Sequence, residues 1–313
     1  MPRYLAITGG VGGAKLALGL SHVLAPSELA FVVNTGDDFE HLGLHVSPDL
    51  DTLMYTLAGL SNPDTGWGRV DESWRFIETV RTLGGADWFN LGDRDLAVHV
   101  LRTQGLREGA SLAAVTARLF TAHGIAHSAW PMTNARVATR VECDTGDYAF
   151  QHYFVRERCA PRVTHIRFDG ADAAQPLPEV LAALADADLA GVIVCPSNPF
   201  LSIDPLLAMP ALRAALATCR APVIAVSPIV GGAAIKGPTA KIMAELGLPQ
   251  DAAAVAAHYG DLLDGFILDA CDRALVSRIS HANLAVIDAP TVMHTLDDRI
   301  DLAHTALNFL HTL

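Results

Sequence analysis

The chain has 313 residues, which allows one large α/β unit or two domains with a full hydrophobic core. Its formal net charge of −12 argues against binding to nucleic acid or to an anionic membrane surface, since both attract basic stripes. No uncharged run reaches the roughly 18 residues of a membrane span, and the N-terminus lacks a basic segment followed by an apolar stretch, so we expect a cytoplasmic protein.

The first predicted elements are a short apolar strand, Tyr4–Ile7, and a helix that runs to about Leu24, joined by a glycine-rich loop. In such a loop, backbone N–H groups and a helix N-terminus receive phosphate oxygens. The loop matches neither the dinucleotide fingerprint nor the P-loop, because Lys15 stands where a small residue belongs and is flanked by Ala and Leu. A merely tight turn is the alternative. The phosphate-binding candidates are Gly9, Gly10, Gly12, Gly13 and Lys15.

The second predicted strand, Leu29–Val33, leads into a segment with four aspartates within 15 residues, Asp37, Asp38, Asp49 and Asp51. Carboxylates held together would repel one another, so a cation, most simply Mg²⁺, is the natural occupant. Asp37, Asp38 or Asp49 could act as a general base. A solvated acidic turn with a helix cap at Asp51 is the alternative.

The middle of the chain, residues 62–155, interrupts the alternation of strands and helices. It contains several tryptophans, two helical patterns (Asp95–Leu101 and Leu112–Ala122) and a predicted hairpin of Val137–Cys143 and Tyr148–Val155. Within it, Arg94 stands between two aspartates, which could hold its guanidinium rigidly toward an oxyanion or a carbonyl. An N-capped helix with a surface ion pair explains the same residues equally well.

Beyond the middle, apolar strands again alternate with helices. This alternation predicts a Rossmann-like α/β fold, with a mostly parallel sheet and helices on both faces. Residues 1–61 and 156–313 would form the core, and residues 62–155 an inserted α+β cap. The predicted strands are Val163–Phe168, Gly191–Cys195, Pro222–Val226, Phe266–Leu268 and Leu284–Ile287, and the helices are Leu177–Ala187, Pro205–Ala217 and Pro238–Leu246.

Three later segments at or soon after strand ends combine proline or glycine with polar residues, which predicts a ligand site at the carboxyl edge of the sheet. The polar candidates are Ser197, Asn198, Ser227, Lys236 and Gly237.

Two other chemistries, a zinc site and a cysteine nucleophile, have little support. The spacing of His41 and His45 could imitate a zinc site, but the glycine between them weakens a helix. Cys195 fits a core position better than a nucleophile, and the five cysteines are expected to be reduced.

Taken together, these motifs resemble the 2-phospho-L-lactate transferase family, and in order they span most of the chain. The motifs are Gly9-Gly-Val-Gly-Gly-Ala-Lys15, Asn34-Thr-Gly-Asp-Asp38, Ser47-Pro-Asp-Leu-Asp-Thr52, Leu91-Gly-Asp-Arg-Asp95, Pro196-Ser-Asn-Pro199, Ser227-Pro-Ile229 and Gly237-Pro238. The resemblance implies a Rossmann-like sheet with a cap. It also implies transfer of a phospho-hydroxyacid group from a guanosine-diphosphate-linked donor to the ribityl hydroxyl of 7,8-didemethyl-8-hydroxy-5-deazariboflavin, releasing GMP in the presence of Mg²⁺.

The resemblance also implies roles for individual residues. The aspartate at Asp49 and the arginine at Arg94 would contact the deazaflavin, and both join Asp37 and Asp38 as catalytic candidates. The carboxylates at Asp37, Asp49 and Asp51 would be the metal candidates. We assign Asn34, Thr35 and Trp88 to the same acceptor site, to which the cap would contribute. Trp67, Trp88, Phe89 and Trp130 are available as flat apolar walls. We further expect a homodimer whose partners are these small molecules.

Two alternatives belong to other classes. A non-catalytic nucleotide-sugar-binding regulator would share the glycine loop and the Asp-Asp pair, but should carry a Gly-Gly-Ser-Ser-Gly-like run where Phe39–Gly43 stands. A metal-dependent glycosyltransferase could use Asp49-Leu-Asp51 as a D-x-D element, which leaves the glycine loop unexplained. Lactate, enolpyruvate and glycerate donors differ by contacts worth only about 1–3 kcal/mol, so the sequence does not choose among them.

Overall fold

The computed structural model describes residues 1–63, 67–235, 237–280 and 283–313. Its centre is a seven-stranded, entirely parallel sheet. The two adjacent strands Tyr4–Thr8 and Leu29–Val33 are buried at every residue, which explains their unbroken apolar sequences. The predicted fold class, a Rossmann-like sheet with helices around it, is confirmed.

The strands are numbered in chain order. They are β1 Tyr4–Thr8, β2 Leu29–Val33, β3 Phe39–His41, β4 Leu44–Val46, β5 Ser128–Pro131, β6 Ala138–Cys143, β7 Gly146–Ala149, β8 Val163–Asp169, β9 Gly191–Val194, β10 Val223–Val226, β11 Ile229–Val230, β12 Ala233–Ala234, β13 Gly265–Asp269 and β14 Ala285–Ala289.

The α-helices are numbered in the same way. They are α1 Gly10–Val23, α2 Pro48–Leu57, α3 Arg75–Thr82, α4 Asp93–Arg107, α5 Leu112–Ala122, α6 Pro178–Ala185, α7 Asp204–Leu207, α8 Pro210–Ala217, α9 Thr239–Glu245, α10 Ala252–Tyr259, α11 Val276–Ile279 and α12 Leu296–Leu310. Two π-helical turns, His152–Arg156 and Pro199–Ile203, and two 3₁₀ turns, Gly260–Leu262 and Ala270–Leu275, complete the set.

The spatial order of the main sheet is β14-β13-β10-β9-β1-β2-β5. The chain therefore builds outward from β1 in one direction through β2 and β5, and then in the other direction from β9 to β14. This reversal creates a topological switch point between β1 and β9. In open parallel sheets a crevice lies outside the carboxyl ends of the strands at such a point, so the fold itself indicates where ligands bind.

Both faces of the main sheet are covered. Tyr4 and Ala6 of β1 belong to one core cluster with buried residues of α1, α2 and α12, whereas Leu5 and Ile7 point into a second cluster with residues of α6, α8 and α10. Ser111 caps α5 and Thr295 begins a capping box at α12, which fixes where these helices start. Cys195 is fully buried, as predicted.

No single described helix is long and apolar enough to cross a membrane. The helical segments Pro199–Leu207 and Pro210–Ala217 meet the length and composition criteria only when counted together, and they are bent by 90° at the break between them.

Two strands differ from the sequence prediction. Val163–Phe168 was expected in the parallel sheet, but β8 pairs antiparallel with β6 in a separate sheet, β7-β6-β8. Only its first residue, Val163, is buried, and the others are exposed or half-buried, unlike the buried runs of the main sheet. Conversely, β5 was not predicted, and it forms the edge of the main sheet beside β2. β8, which was expected in the core, thus pairs with a strand of the expected cap, whereas β5, which lies in the expected cap, joins the main sheet. The division at residues 62 and 155 stays a prediction.

Two predicted helices also differ in extent from the observed ones. The helix expected over Asp95–Leu101 runs from Asp93 to Arg107, and Pro205–Ala217 is divided between α7 and α8. The division follows from Pro210, which begins the second helix because proline suits the first turn of a helix and not its interior. In the predicted hairpin the second strand is short, and the chain turns into the π-helical segment soon after Ala149.

Candidate active site

A cavity of about 600 Å³ opens at the carboxyl ends of the main-sheet strands, over the switch point. It collects residues from distant parts of the sequence, as the positions of the polar strand ends predict. The predicted site residues that line it are Gly9, Gly10, Gly12, Lys15, Asp37, Asp49, Trp88, Ser197, Asn198, Ser227 and Gly237. Lys236 was also predicted, but it lies outside the described residues.

Among the described residues, Asp37 and Asp49 are the two carboxylates that line this cavity. Asp49 lies in the first turn of α2, where its oxygens accept hydrogen bonds from the Gly10 amide at 2.8 Å and the Asn34 side-chain amide at 2.9 Å. Burial raises the pKa of Asp49 to about 6, although both hydrogen bonds act in the opposite direction. Burial, followed by the charge of Asp49, raises the pKa of Asp37 well above its ordinary value. The site therefore holds two carboxylates that favour a cation or a proton.

Asp38 and Asp51 do not line the cavity and are held by other residues of the protein. Asp38 accepts hydrogen bonds from the Ser47 hydroxyl at 2.7 Å and from His45 at 3.0 Å. Both oxygens of Asp51 contact the guanidinium of Arg102, with one contact at 3.1 Å. Of the three metal candidates, Asp37 and Asp49 line the cavity, whereas Asp51 forms an internal ion pair with Arg102.

One group of described residues has its candidate metal-ligand atoms within 4.8 Å of one another, namely Asp51, Asp95 and His99. Arg102 already contributes a cation to Asp51 in that group, and none of its members lines the cavity. The pair at the cavity fits Mg²⁺ better, because two buried oxygen ligands face open space and their mutual repulsion raises a pKa.

The glycine loop approaches its neighbours so closely that side chains would not fit. A Cβ at Gly12 would lie 2.4 Å from the carbonyl oxygen of Pro196, and one at Gly9 would lie 2.6 Å from a carboxylate oxygen of Asp49. Gly13 is buried against Ser197 and does not line the cavity. Close packing between the loops after β1 and β9 therefore explains part of the glycine pattern, alongside any contact with phosphate.

Lys15 is the one cationic side chain among the described residues that line the cavity. Its ammonium group donates a hydrogen bond to the carbonyl oxygen of Met293 at 2.8 Å. This contact holds the lysine at the first turns of α1, where the macrodipole also favours an anion. The arrangement places positive charge on the side of the cavity formed by α1 and the segment after β14.

The serine and asparagine side chains after β9 and β10 shape the loops that carry them. The Ser197 hydroxyl bridges the amide and the carbonyl of Gly9, at 3.1 and 2.8 Å. The Asn198 side-chain oxygen accepts from the amides of Phe200 and Leu201, and the Ser227 hydroxyl bonds to both backbone groups of Ile229. These residues line the cavity, but their oxygens are engaged within the protein.

The expected clamp around Arg94 is wrong. Asp93 accepts hydrogen bonds from the backbone amides of Arg75 and Phe76, at the start of α3, and from the Ser73 hydroxyl. Asp95 turns inward and accepts from the Tyr55 hydroxyl at 2.5 Å. Arg94 itself is exposed, and its backbone amide donates to Glu72. The two acids are therefore occupied by other partners, and a role for Arg94 in the acceptor site stays a prediction.

Aromatic side chains form the wall of the cavity on the side of the inserted segment. Trp88 makes edge contacts with His41 and His152, with ring centroids 5.1 and 4.5 Å apart. Phe89 also lines the cavity, and Trp67, which is 51% exposed, stands at its rim. Trp130 packs against the core instead. Asn34 and Thr35 are buried, with Asn34 behind Asp49.

Two groups of lining residues were missed by the sequence analysis. Phe150, Phe154 and Val155 follow the hairpin, and Thr291, Val292 and Met293 follow β14. Both oxygens of Asp269 hold this part of the site, accepting from Cys271 on one side and from Thr291 on the other. The run Ala289-Pro290-Thr291 is another strand end with proline and a polar residue, so the signal was present in the sequence.

The sequence is similar to a known family of proteins. A family model described as 2-phospho-L-lactate transferase CofD matches residues 5–297. A phosphoenolpyruvate transferase from Kitasatospora aureofaciens is 41% identical over 312 residues, with 97% of each chain covered. A phosphoenolpyruvate transferase from Thermobifida fusca is 40% identical over 288 residues, with 88% of each chain covered.

Two crystal structures of a protein from Bacillus halodurans, one of them described as a UPF0052 family member, share the fold. Their TM-scores are 0.60 and 0.62 at 13% and 15% sequence identity, and 98% of this chain and 99% of theirs are covered. At that identity the likeness concerns the arrangement of strands and helices alone.

Proposed function

The chain belongs to the 2-phospho-L-lactate transferase CofD family, and from this we propose that it transfers a phospho-hydroxyacid group from a guanosine-diphosphate-linked donor to the ribityl hydroxyl of 7,8-didemethyl-8-hydroxy-5-deazariboflavin. Such a step belongs to the biosynthesis of the deazaflavin coenzyme F420. The enolpyruvyl donor is our first choice, because relatives near 40% identity are named phosphoenolpyruvate transferases. The observation that carries the proposal is the pair Asp37 and Asp49 in a cavity at the switch point.

In the proposed reaction the ribityl oxygen forms a bond to the donor phosphorus that bears the hydroxyacid. The bond from that phosphorus to the bridging oxygen breaks, and GMP leaves with this oxygen. The hydroxyl proton passes to a carboxylate, for which Asp49, with its pKa of about 6, is suited near neutral pH. Phosphoryl transfer depends mainly on positioning and charge neutralisation, and these are what the cavity residues can supply.

We assign the two ends of the cavity to the two substrates. The donor would lie over α1 and the ends of β9 and β10, where Lys15 and helix N-termini favour phosphate. The deazaflavin ring would lie beside Trp88 and Phe89, because flat aromatic ligands pack well against aromatic walls. Asp37 would hold Mg²⁺, which would neutralise the charge that develops on the phosphate oxygens and leave Asp49 to take the hydroxyl proton.

The D-x-D glycosyltransferase alternative loses its main support, since Asp51 is paired with Arg102 instead of facing the cavity beside Asp49. We retain the cytoplasmic location and the homodimer as proposals, the latter to be tested by analytical ultracentrifugation.

The proposal is tested by supplying purified protein with deazaflavin and, separately, the enolpyruvyl, lactyl and glyceryl donors. We expect a product whose mass corresponds to the deazaflavin carrying one phospho-hydroxyacid, formed fastest from the enolpyruvyl donor. An Asp49→Asn variant serves as the matched control and should lose most of this product. Unmodified deazaflavin with all three donors would refute the proposed function.

A further inference from the structure

The first turn of α2 carries two aspartates whose side chains lie in different surroundings. Asp49 faces the cavity, and Asp51 faces α4. Successive helical residues are rotated by about 100°, so residues two apart point to nearly opposite sides. Whatever holds Asp51 therefore also sets the rotation and position of the turn that presents Asp49.

Asp51 is held by a buried cation. Arg102 is 2% exposed, and its two terminal nitrogens contact both carboxylate oxygens of Asp51. His99, one turn earlier on α4, lies 3.7 Å from Asp51 and 3.3 Å from Asp95. Because a guanidinium and a carboxylate meet at two points, this contact fixes orientation as well as distance.

The start of α2 has no side-chain cap of its own. Ser47, at the cap position, makes no capping hydrogen bond and instead donates to Asp38. Asp49 is held on its cavity side by the Gly10 amide and by Asn34. The contact between Arg102 and Asp51 therefore anchors this turn on the side away from the cavity.

We propose that Arg102 is a positioning residue for Asp49. Arg102 provides the cation for the group formed by Asp51, Asp95 and His99, and it fixes the first turn of α2 so that the Asp49 carboxylate lies against the Gly10 amide. The group is thus an internal ion-pair network that supports this turn, and not a second metal centre. The kinetic consequence rests on the proposed function, but the structural consequence does not.

Arg102→Lys tests the inference, because lysine keeps the charge and loses the two-point contact. We expect hydrogen exchange at the Gly10 amide to become at least tenfold faster. Exchange at the Cys195 amide, which donates to Ile7 in the central sheet, should stay unchanged. The turnover number for GMP release should fall at least tenfold. Loss of overall stability would instead accelerate exchange at both amides.

Two further variants keep the test decisive if Arg102→Lys folds poorly. Asp51→Asn with Arg102→Gln removes both charges, so it should melt near the wild type yet show the faster Gly10 exchange. Arg107→Lys is the matched control on the same helix; its guanidinium contacts the carbonyl oxygen of Gly43, in the turn between β3 and β4, at 2.9 Å, and exchange and turnover should be unaffected.

Wild-type exchange at Gly10 in either folded Arg102 variant would overturn the proposal. So would a stoichiometric transition metal in the purified wild type that is lost in His99→Ala but retained in Asp49→Asn. If the wild type releases no GMP, the proposed function fails, and the exchange at Gly10 still decides the role of Arg102.

Discussion

Asp49→Asn should make the protein more stable at alkaline pH while lowering its turnover more than tenfold. The pKa of Asp49 is about 6 in the folded protein, against an ordinary value of 3.8. The folded state therefore binds more protons than the unfolded state between these values, and stability falls as the pH rises through that window. A difference of roughly two pKa units corresponds to about 3 kcal/mol.

The substitution removes the charge but also disturbs the hydrogen bonds of the site. An asparagine can still accept from the Gly10 amide, whereas its own amide nitrogen would face the Asn34 amide nitrogen that now donates to Asp49. One lost hydrogen bond costs about 1 kcal/mol, which leaves a net gain of about 2 kcal/mol above pH 7. Relief of the repulsion that raises the pKa of Asp37 acts in the same direction.

Urea unfolding of both proteins, in chelator and without donor, measures this difference. The variant should be more stable by about 2 kcal/mol near pH 8 and slightly less stable near pH 4, where Asp49 is protonated in the folded wild type. An equal difference in unfolding free energy at both pH values would refute the assigned pKa and its cause. A variant that is less stable near pH 8 would show that the lost hydrogen bonds outweigh the removed charge.

Other substitutions test separate parts of the cavity. Lys15→Ala should weaken GDP binding at least tenfold in calorimetry, with little change for deazaflavin, because it removes the ammonium group held at Met293; unchanged GDP affinity would move the phosphate site elsewhere. Arg94→Ala should raise the KM for deazaflavin without shifting the melting curve, since its side chain is exposed; unaltered kinetics would remove it from the acceptor site. Gly12→Ala should destabilise the protein by about 1–3 kcal/mol in urea unfolding, because its Cβ would lie 2.4 Å from the Pro196 carbonyl oxygen; a wild-type midpoint would contradict that close approach.

Much of the sheet could be predicted because its strands are short, apolar and followed by glycine, proline or small polar residues. The run Leu29–Val33 is buried on both faces, so its sequence carries a continuous apolar signal. β5 was missed since it is an edge strand that contains Trp130 and ends at Pro131, residues that fit a loop equally well. β8 was misplaced because a local apolar pattern does not reveal which sheet a strand joins.

The site shows a similar division. That Asp37 and Asp49 lie at one cavity could be predicted from the sequence, since polar residues that follow neighbouring strands converge at the edge of a parallel sheet. The partners of Asp51 and Asp95 could not, because Arg102 and Tyr55 reach them through helix packing between segments about 40 to 50 residues apart. Such pairing depends on tertiary contacts that leave no local pattern.

The most direct test of the proposed activity is a titration of GMP release against deazaflavin at a fixed concentration of the enolpyruvyl donor and Mg²⁺. We predict one GMP for each deazaflavin consumed, no release without deazaflavin, and loss of release in excess chelator. Donor binding without GMP release would indicate a regulator. Release that continues without deazaflavin would indicate hydrolysis, and either result would contradict a transferase acting on this acceptor.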